Sequence, residues 1–336
     1  MIGERITLAH GEGGWLSRQL IEQVITRPLG NPFLNPLGDA AILPTSPHRI
    51  AFTTDSYVVT PLFFPGGDIG RLAVFGTVND LVVSGARPLW LSLSLILEEG
   101  LEITTLRKIL QSISEAAALA QVQIAAGDTK VVPRGAADKL FINTAGIGEL
   151  VDPVPTGPAS IEAGDILIVS GPIGRHGIAI LAARENLGLF PAPESDCGPL
   201  TSLVESLRAS HIPVRAMRDA TRGGVAAVLH EWANASGLTL TIDETQLPLS
   251  ENVRGACELL GLDPVHIANE GTMLIAVPKQ FADAALQTLR ARPEGSHACV
   301  IGQAGPDQRT PVLIRRGFSP ERPLDLPSGA MLPRIC

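Results

Sequence analysis

Residues 68–88, DIGRLAVFGTVNDLVVSGARP, constrain this chain more than any other stretch, because they place a carboxylate inside the apolar stripe of a helix. Asp68 is positioned to cap that helix, and Leu72, Phe75, Val78, Leu81 and Val82 recur at helical spacing to form its buried face. Gly85 and Pro88 end it. The polar pair Asn79–Asp80 falls within the stripe. A carboxylate is costly to bury alone, so Asp80 requires a metal, a cation or a ring of donors. Two flanking segments add to this chemistry. The strand expected over residues 49–56 (RIAFTTDS) carries Asp55 after two threonines, and residues 122–132 (VQIAAGDTKVV) deliver Asp128, Thr129 and Lys130 just past Gly127. Three acidic side chains, one lysine and several hydroxyls on adjoining elements read as a magnesium–phosphate site. Magnesium favours hard oxygen ligands, and a lysine offsets phosphate charge.

The 336 residues suffice for about two domains with large cores. Glycine (34) and proline (27) are abundant, so tight turns and close backbone approaches are expected. A formal net charge of -8 without a basic tail argues against nucleic acid as a partner. No run of about 18 apolar residues occurs, so no membrane span is expected. The N-terminus lacks the basic-then-apolar order of a secretion signal, and a cytoplasmic location is expected. Cys197, Cys257, Cys299 and Cys336 form no CxxC pair and no zinc spacing, and the first three read as ordinary thiols.

In chain order, residues 1–38 read as an N-terminal arm and helix. A glycine-rich loop at 8–14 holds His10, and a helix at 18–26 is capped by Ser17. Residues 28–48 are proline-rich and loop-like, apart from a short strand at 39–43 beginning with Asp39. Residues 39–153 read strand, helix, strand, helix, strand, strand, which makes one α/β domain. Residues 154–164 are the seam, and 165–317 mix strands and helices as an α+β domain. Its glycine turn at 172–177 before a helix is a ready anion site. It has neither the GxGxxG spacing nor the GK[ST] of the common nucleotide loops. Asp219, Thr221 and Arg222 precede Gly223, Gly224 and a helix, an arrangement suited to holding a phosphate or carboxylate. Residues 318–336 (prolines at 320, 323, 327 and 333) are expected to form an extended mobile arm, poor as helix or strand. Met331, Leu332 and Ile335 read as anchors that leave Cys336 placed.

Several of these motifs carry a resemblance. Asn79-Asp80-Leu81 with Gly85-Ala86-Arg87-Pro88, the Gly127-Asp128-Thr129-Lys130 loop, Gly174-Arg175-His176-Gly177 and Asp219-Ala220-Thr221-Arg222-Gly223-Gly224 are similar to the superfamily of aminoimidazole ribonucleotide synthetase and selenophosphate synthetase. Asn269-Glu270-Gly271 and the terminal Pro333-Arg334-Ile335-Cys336 narrow the likeness to the HypE family of hydrogenase-maturation proteins. The chain departs from that family's usual pattern at Arg175, where an acidic residue is customary.

The resemblance implies a homodimer in which the N-terminal domains pair their sheets, with ATP in the cleft between domains. It also implies that a partner, HypF, loads a carbamoyl group onto the terminal thiol. The family then dehydrates that group with ATP to a thiocyanate, and the cyano group passes to iron on a HypC–HypD complex. On that reading Asp55, Asp80 and Asp219 are the magnesium ligands. Asn79, Gly127, Asp128, Thr129, Lys130, Thr221, Arg222, Gly223 and Gly224 bind the nucleotide. Lys130 also offsets charge during transfer, Glu270 or His10 serves as base, and Cys336 is the modified carrier. Two rivals remain open on sequence. One is a small-molecule ATP-dependent synthetase of the same superfamily, which has no use for a terminal cysteine and, for selenophosphate synthesis, would favour a reactive Cys in residues 8–14. The other is an assembly factor without catalysis.

Overall fold

The computed structural model of the chain describes residues 5–7, 10, 19–31, 49–317 and 319–325. The chain divides into two compact units at Leu150, with Val82–Gly85 belonging to the second. No helix among the described residues is long and apolar enough to cross a membrane.

In the first unit a π-helical turn, Ile21–Ile25, runs into α1 (Thr26–Leu29). The helix therefore outlasts the expected end at residue 26 and contains Pro28. A proline ring crowds the carbonyl four residues back, and the wider π turn makes room for it. Strand β1 (Ile50–Tyr57) follows, then the short pair β2 (Phe63–Phe64) and β3 (Gly67–Asp68), then α2 (Ile69–Val83). Asp68 caps α2 as expected: its Oδ1 accepts from the amides of Gly70 and Arg71. The helix stops at Val83, and Gly85 turns the chain at φ +87°, a conformation that residues with a Cβ rarely adopt. Pro88 is thus not the terminator. It lies inside β4 (Ala86–Glu98), which is followed by α3 (Ile103–Leu119), β5 (Gln123–Val132) and β6 (Leu140–Leu150).

The four strands form a sheet in the order β1-β6-β4-β5, with only β4 and β5 parallel. Its register sorts the side chains into two faces. Asp55, Thr144, Leu93 and Gly127 stand in one row across the sheet, and Ser56, Asn143, Ser94 and Asp128 stand in the next. The first row faces α2, where Thr77 and Leu81 press against Gly146. The other face is open in the chain, with Ile50 59% and Phe52 67% exposed.

The second unit holds β7 (Ile166–Val169), α4 (Arg175–Glu185), α5 (Thr201–Ala209), β8 (Ala216–Asp219), α6 (Gly224–Ser236), β9 (Thr239–Asp243), α7 (Glu251–Leu260), β10 (Met273–Val277), α8 (Ala282–Arg290), β11 (Cys299–Gly305), β12 (Val312–Arg315) and β13 (Arg322–Pro323). They build a seven-stranded sheet, β13-β12-β9-β11-β7-β10-β8, antiparallel except between β9 and β12. Val225, Leu229 and Trp232 of α6 pack with Leu167, Leu240, Ile301 and Ile314 as its core. Strand β8 was not legible in the sequence: Ala216–Asp219 reads AMRD, with no β-branched residue. β13 corrects the expectation of a free arm from residue 318, because Arg322 and Pro323 pair with Ile314 and Leu313. Ser17, residues 39–43 and the terminal residues 326–336, including Cys336, lie outside the described residues.

Candidate active site

Asp55 leaves β1 on the face covered by α2. Its Oδ2 accepts from Tyr57 Oη at 3.4 Å and from Thr77 Oγ1 at 3.5 Å. Thr77 also meets Tyr57 Oη at 3.2 Å and Thr144 Oγ1 at 2.5 Å. Asp80, one helical turn beyond Thr77, accepts from Thr53 Oγ1 at 2.8 Å. Burial, and then the neighbouring charge of Asp80, push the Asp55 carboxyl above its usual range, although the hydroxyls of Tyr57 and Thr77 pull the other way. Two carboxylates held this close repel unless a proton or a cation lies between them. Magnesium commonly takes one or two protein carboxylates and completes its shell with phosphate oxygens and water, so the pair fits it. Asn79, next to Asp80, is buried.

The sheet divides the Gly127–Lys130 motif, which sits mid-strand and is not a loop. Gly127 stands in the Asp55 row, where a Cβ would come 2.7 Å from the Leu93 carbonyl oxygen, and Thr129 shares that face. Asp128 and Lys130 project from the open face and are exposed. Within one chain they therefore do not join Asp55 and Asp80, and the single cluster expected from sequence separates into two. Strand alternation, with its period of two residues, is the reason.

His10 is buried, and its Nδ1 accepts from the Thr7 amide at 3.1 Å and lies 2.8 Å from Thr7 Oγ1. A ring accepting at Nδ1 carries its proton on Nε2, which is buried with no hydrogen-bond partner. Thr7 thus engages Nδ1 of the ring.

In the second unit, Asp219 ends β8, buried, with Arg218 Nε 3.9 Å away. Among the described residues no three His, Cys, Asp or Glu side chains come together as a metal group, and Asp219 belongs to the second unit while Asp55 and Asp80 belong to the first. After Asp219 the turn closes on itself, the Gly224 amide donating to the Thr221 carbonyl at 2.8 Å. Arg222 is exposed, and Gly223, in the left-handed region, immediately precedes α6. The glycine turn before α4 is less open to anions than its sequence implies, because the amides of Gly174 and Gly177 donate to Asn269 Oδ1 and the Ala268 carbonyl.

Asn269 is a staple that sequence reasoning missed. Its side chain accepts from Gly174 and donates to the carbonyls of Ala220 and Ile267. Beside it Glu270 is buried, with a backbone held by an unexpected partner, Asp196. Asp196 accepts from the amides of Glu270 (3.1 Å) and Gly271 (3.0 Å) and from Thr272 Oγ1 (2.9 Å). A Cβ on Gly271 would lie 1.9 Å from the Asp196 carbonyl oxygen, so only glycine fits. Ser195 accepts from the Cys197 amide and lies 2.8 Å from Nδ1 of the buried His176. No sequence spacing links Ser195 and Asp196 to residues 176 and 270–272, and only the fold brings them together.

Two internal thiols, Cys257 and Cys299, are poor nucleophiles. Burial pushes Cys257 up to about 11 and also raises Cys299, whose Sγ donates to the Gln246 carbonyl.

Comparison with known proteins agrees with this architecture. The family model described as AIR synthase related protein, N-terminal domain, matches residues 37–150, and its C-terminal counterpart matches residues 162–314. The carbamoyl dehydratase HypE of Rhodobacter capsulatus is 49% identical over 336 residues, covering 99% of this chain and 98% of that protein. The chain belongs to the HypE family. A crystal structure of HypE in complex with ATP shares 44% identity and superposes with a TM-score of 0.93, covering 98% of this chain and 99% of that one. The HypE of a HypE–HypF complex, 43% identical, gives 0.80 over 92% of this chain and 99% of that one.

Proposed function

We propose that this chain is an ATP-dependent carbamoyl dehydratase that converts an S-carbamoyl group on its own Cys336 to a thiocyanate, the source of the cyanide ligand of nickel–iron hydrogenase. The observation that carries this reading is the full-length likeness to a carbamoyl dehydratase at 49% identity. The terminal cysteine supports it, since a free-substrate synthetase has no use for one.

A carbamoyl oxygen is a poor leaving group. Its attack on the γ-phosphorus of ATP releases ADP and makes it part of a phosphate. Cleavage of that C–O bond then expels phosphate, while both N–H protons depart and a C≡N bond remains. Overall the water removed is incorporated into inorganic phosphate and a proton is released. Asp55 and Asp80 hold magnesium, which supplies charge compensation for the transferring phosphoryl group. Tyr57, Thr77 and Thr53 orient those carboxylates through their hydroxyls. Glu270 accepts a nitrogen-bound proton. Lys130 offsets phosphate charge, and Asp128 contacts the nucleotide.

Lys130 and Asp128 act from the open face of the sheet, which fits a homodimer formed through that face. Ile50, Phe52 and Ile96 are exposed there, and Trp90 and Ile147 share the surface. A contiguous apolar sheet face of this kind calls for a partner. HypF, which occurs with HypE in the complex cited above, supplies the carbamoyl group, and a HypC–HypD complex accepts the cyanide. The test is intact-mass analysis of the chain after incubation with a HypF carbamoyltransferase and then ATP. The reading requires a carbamoyl adduct at Cys336 that loses one water. An adduct that ATP leaves unchanged would overturn it.

A further inference from the structure

Between α4 and α5, residues 192–200 run without helix or strand, and 194–197 are held from two sides. On one side stands the first turn of α4. Arg175 Nε donates to the Glu194 carbonyl at 3.2 Å, and His176 Nδ1 lies 2.8 Å from Ser195 Oγ. The same Ser195 oxygen accepts from the Cys197 amide at 3.0 Å, which closes a serine turn around Asp196. Arg175 thus has a bond that an ionised acidic side chain in its place could not make, because a carboxylate has no hydrogen to give a carbonyl.

On the other side lies the turn that carries Glu270, set between two fixed points. Upstream, Asn269 is tied by its amide and its side chain to the Ala220 carbonyl. Downstream, Met273 opens β10, its amide donating to Ser170 Oγ and its carbonyl accepting from the Ser170 amide, each at 3.0 Å. The span between them includes Gly271, and glycine has the widest backbone freedom of any residue. One carboxylate takes up that freedom. Asp196 Oδ1 accepts from the Glu270 amide at 3.1 Å, and Oδ2 accepts from the Gly271 amide at 3.0 Å and from Thr272 Oγ1 at 2.9 Å. Bonds to an ionised acceptor are about twice as strong as neutral ones.

We propose that Asp196 is a positioning residue for the dehydration: seated on α4 through Ser195 and His176, it fixes the backbone that aims Glu270. This rests on the reading of Glu270 as the base. A base must lie within hydrogen-bond reach of the proton it takes, and a misplacement of about 1 Å can cost on the order of a hundredfold in rate. Asp196 acts only through that placement.

Asp196→Asn keeps the shape but replaces one accepting oxygen by a donor. It slows single-turnover dehydration of the carbamoyl-loaded full chain by about 10–100-fold at saturating ATP and leaves ATP affinity unchanged. Glu270→Gln also slows the reaction, and the double variant is no slower than Glu270→Gln alone, because both changes remove one function. A merely structural role would instead multiply the two factors. Hydrogen exchange reads the clasp without activity: the Glu270 and Gly271 amides exchange about tenfold faster in Asp196→Asn, while those of residues 274–277 keep their protection. Thr272→Val, which removes one bond to the same carboxylate, gives a smaller and equally non-additive slowing and serves if Asp196→Asn does not fold. Multiplying factors, a wild-type rate in Asp196→Asn, or unchanged exchange at both amides each overturns the proposal. Glu270→Gln at the wild-type rate overturns the base reading instead, and the exchange experiment still decides whether Asp196 holds the turn.

Discussion

Asp55 shows most clearly how a candidate site residue can work against the fold that carries it. Its carboxyl is raised by burial and by Asp80, so the folded chain keeps that proton to a higher pH than the unfolded chain does. Stability therefore falls as pH rises from the ordinary carboxylate range through the raised value, and it stays reduced at neutral pH. Asp55→Asn removes this contribution. The nucleotide-free variant should melt at a higher temperature than the wild type at neutral pH, with the gain fading near pH ~4, while magnesium–ATP binding is lost. Thermal melts across that range, paired with nucleotide titration, check both parts. A variant that melts lower at neutral pH would show that the hydroxyls of Tyr57 and Thr77 outweigh the repulsion. At the other end of the chain, Cys336→Ala should leave melting temperature and ATP affinity unchanged and abolish the thiocyanate product in the intact-mass assay. The raised Cys257 and Cys299 thiols are no ready substitute for it.

Elements decide which of these residues can meet. The helical stripe from Leu72 to Val82 was legible because its spacing matches the helix period, and Asp80 stood out as the polar member of an apolar face. The Gly127–Lys130 motif was not legible in the same way, because four adjacent residues look like one cluster until a strand sends alternate side chains to opposite faces. The turn at Glu270 depends on a segment more than seventy residues earlier, Asp196, that no local pattern announces. Gly271→Ala should therefore force the Asp196 backbone away and destabilise the second unit by about 1–3 kcal/mol, measured by denaturant unfolding. The same variant should slow dehydration by displacing Glu270. Unchanged stability would mean that the loop carrying Asp196 yields freely.

For the whole molecule, the open sheet face sets the expectation. A sheet with Phe52 67% and Ile50 59% exposed presents apolar area that a second copy can bury. Phe52→Asp should shift the protein from dimer to monomer in sedimentation experiments and weaken ATP binding, because Asp128 and Lys130 lie on that same face. A monomeric wild type, or a Phe52→Asp dimer with full ATP affinity, would remove the reason for placing the nucleotide there.

The sequence by itself determined the two-domain division, the central helix with Asn79 and Asp80 within its apolar stripe, and most strands and helices. These follow from local periodicity, capping and turn chemistry, which act over a few residues. Only the tertiary structure decided that Asp55 and Asp80 share a face while Asp128 and Lys130 turn away. It also gave Glu270 its support in Asp196. The physical reason is common to both: strand register and long-range hydrogen bonds join residues that are distant along the chain, and their energies depend on partners that no local pattern specifies.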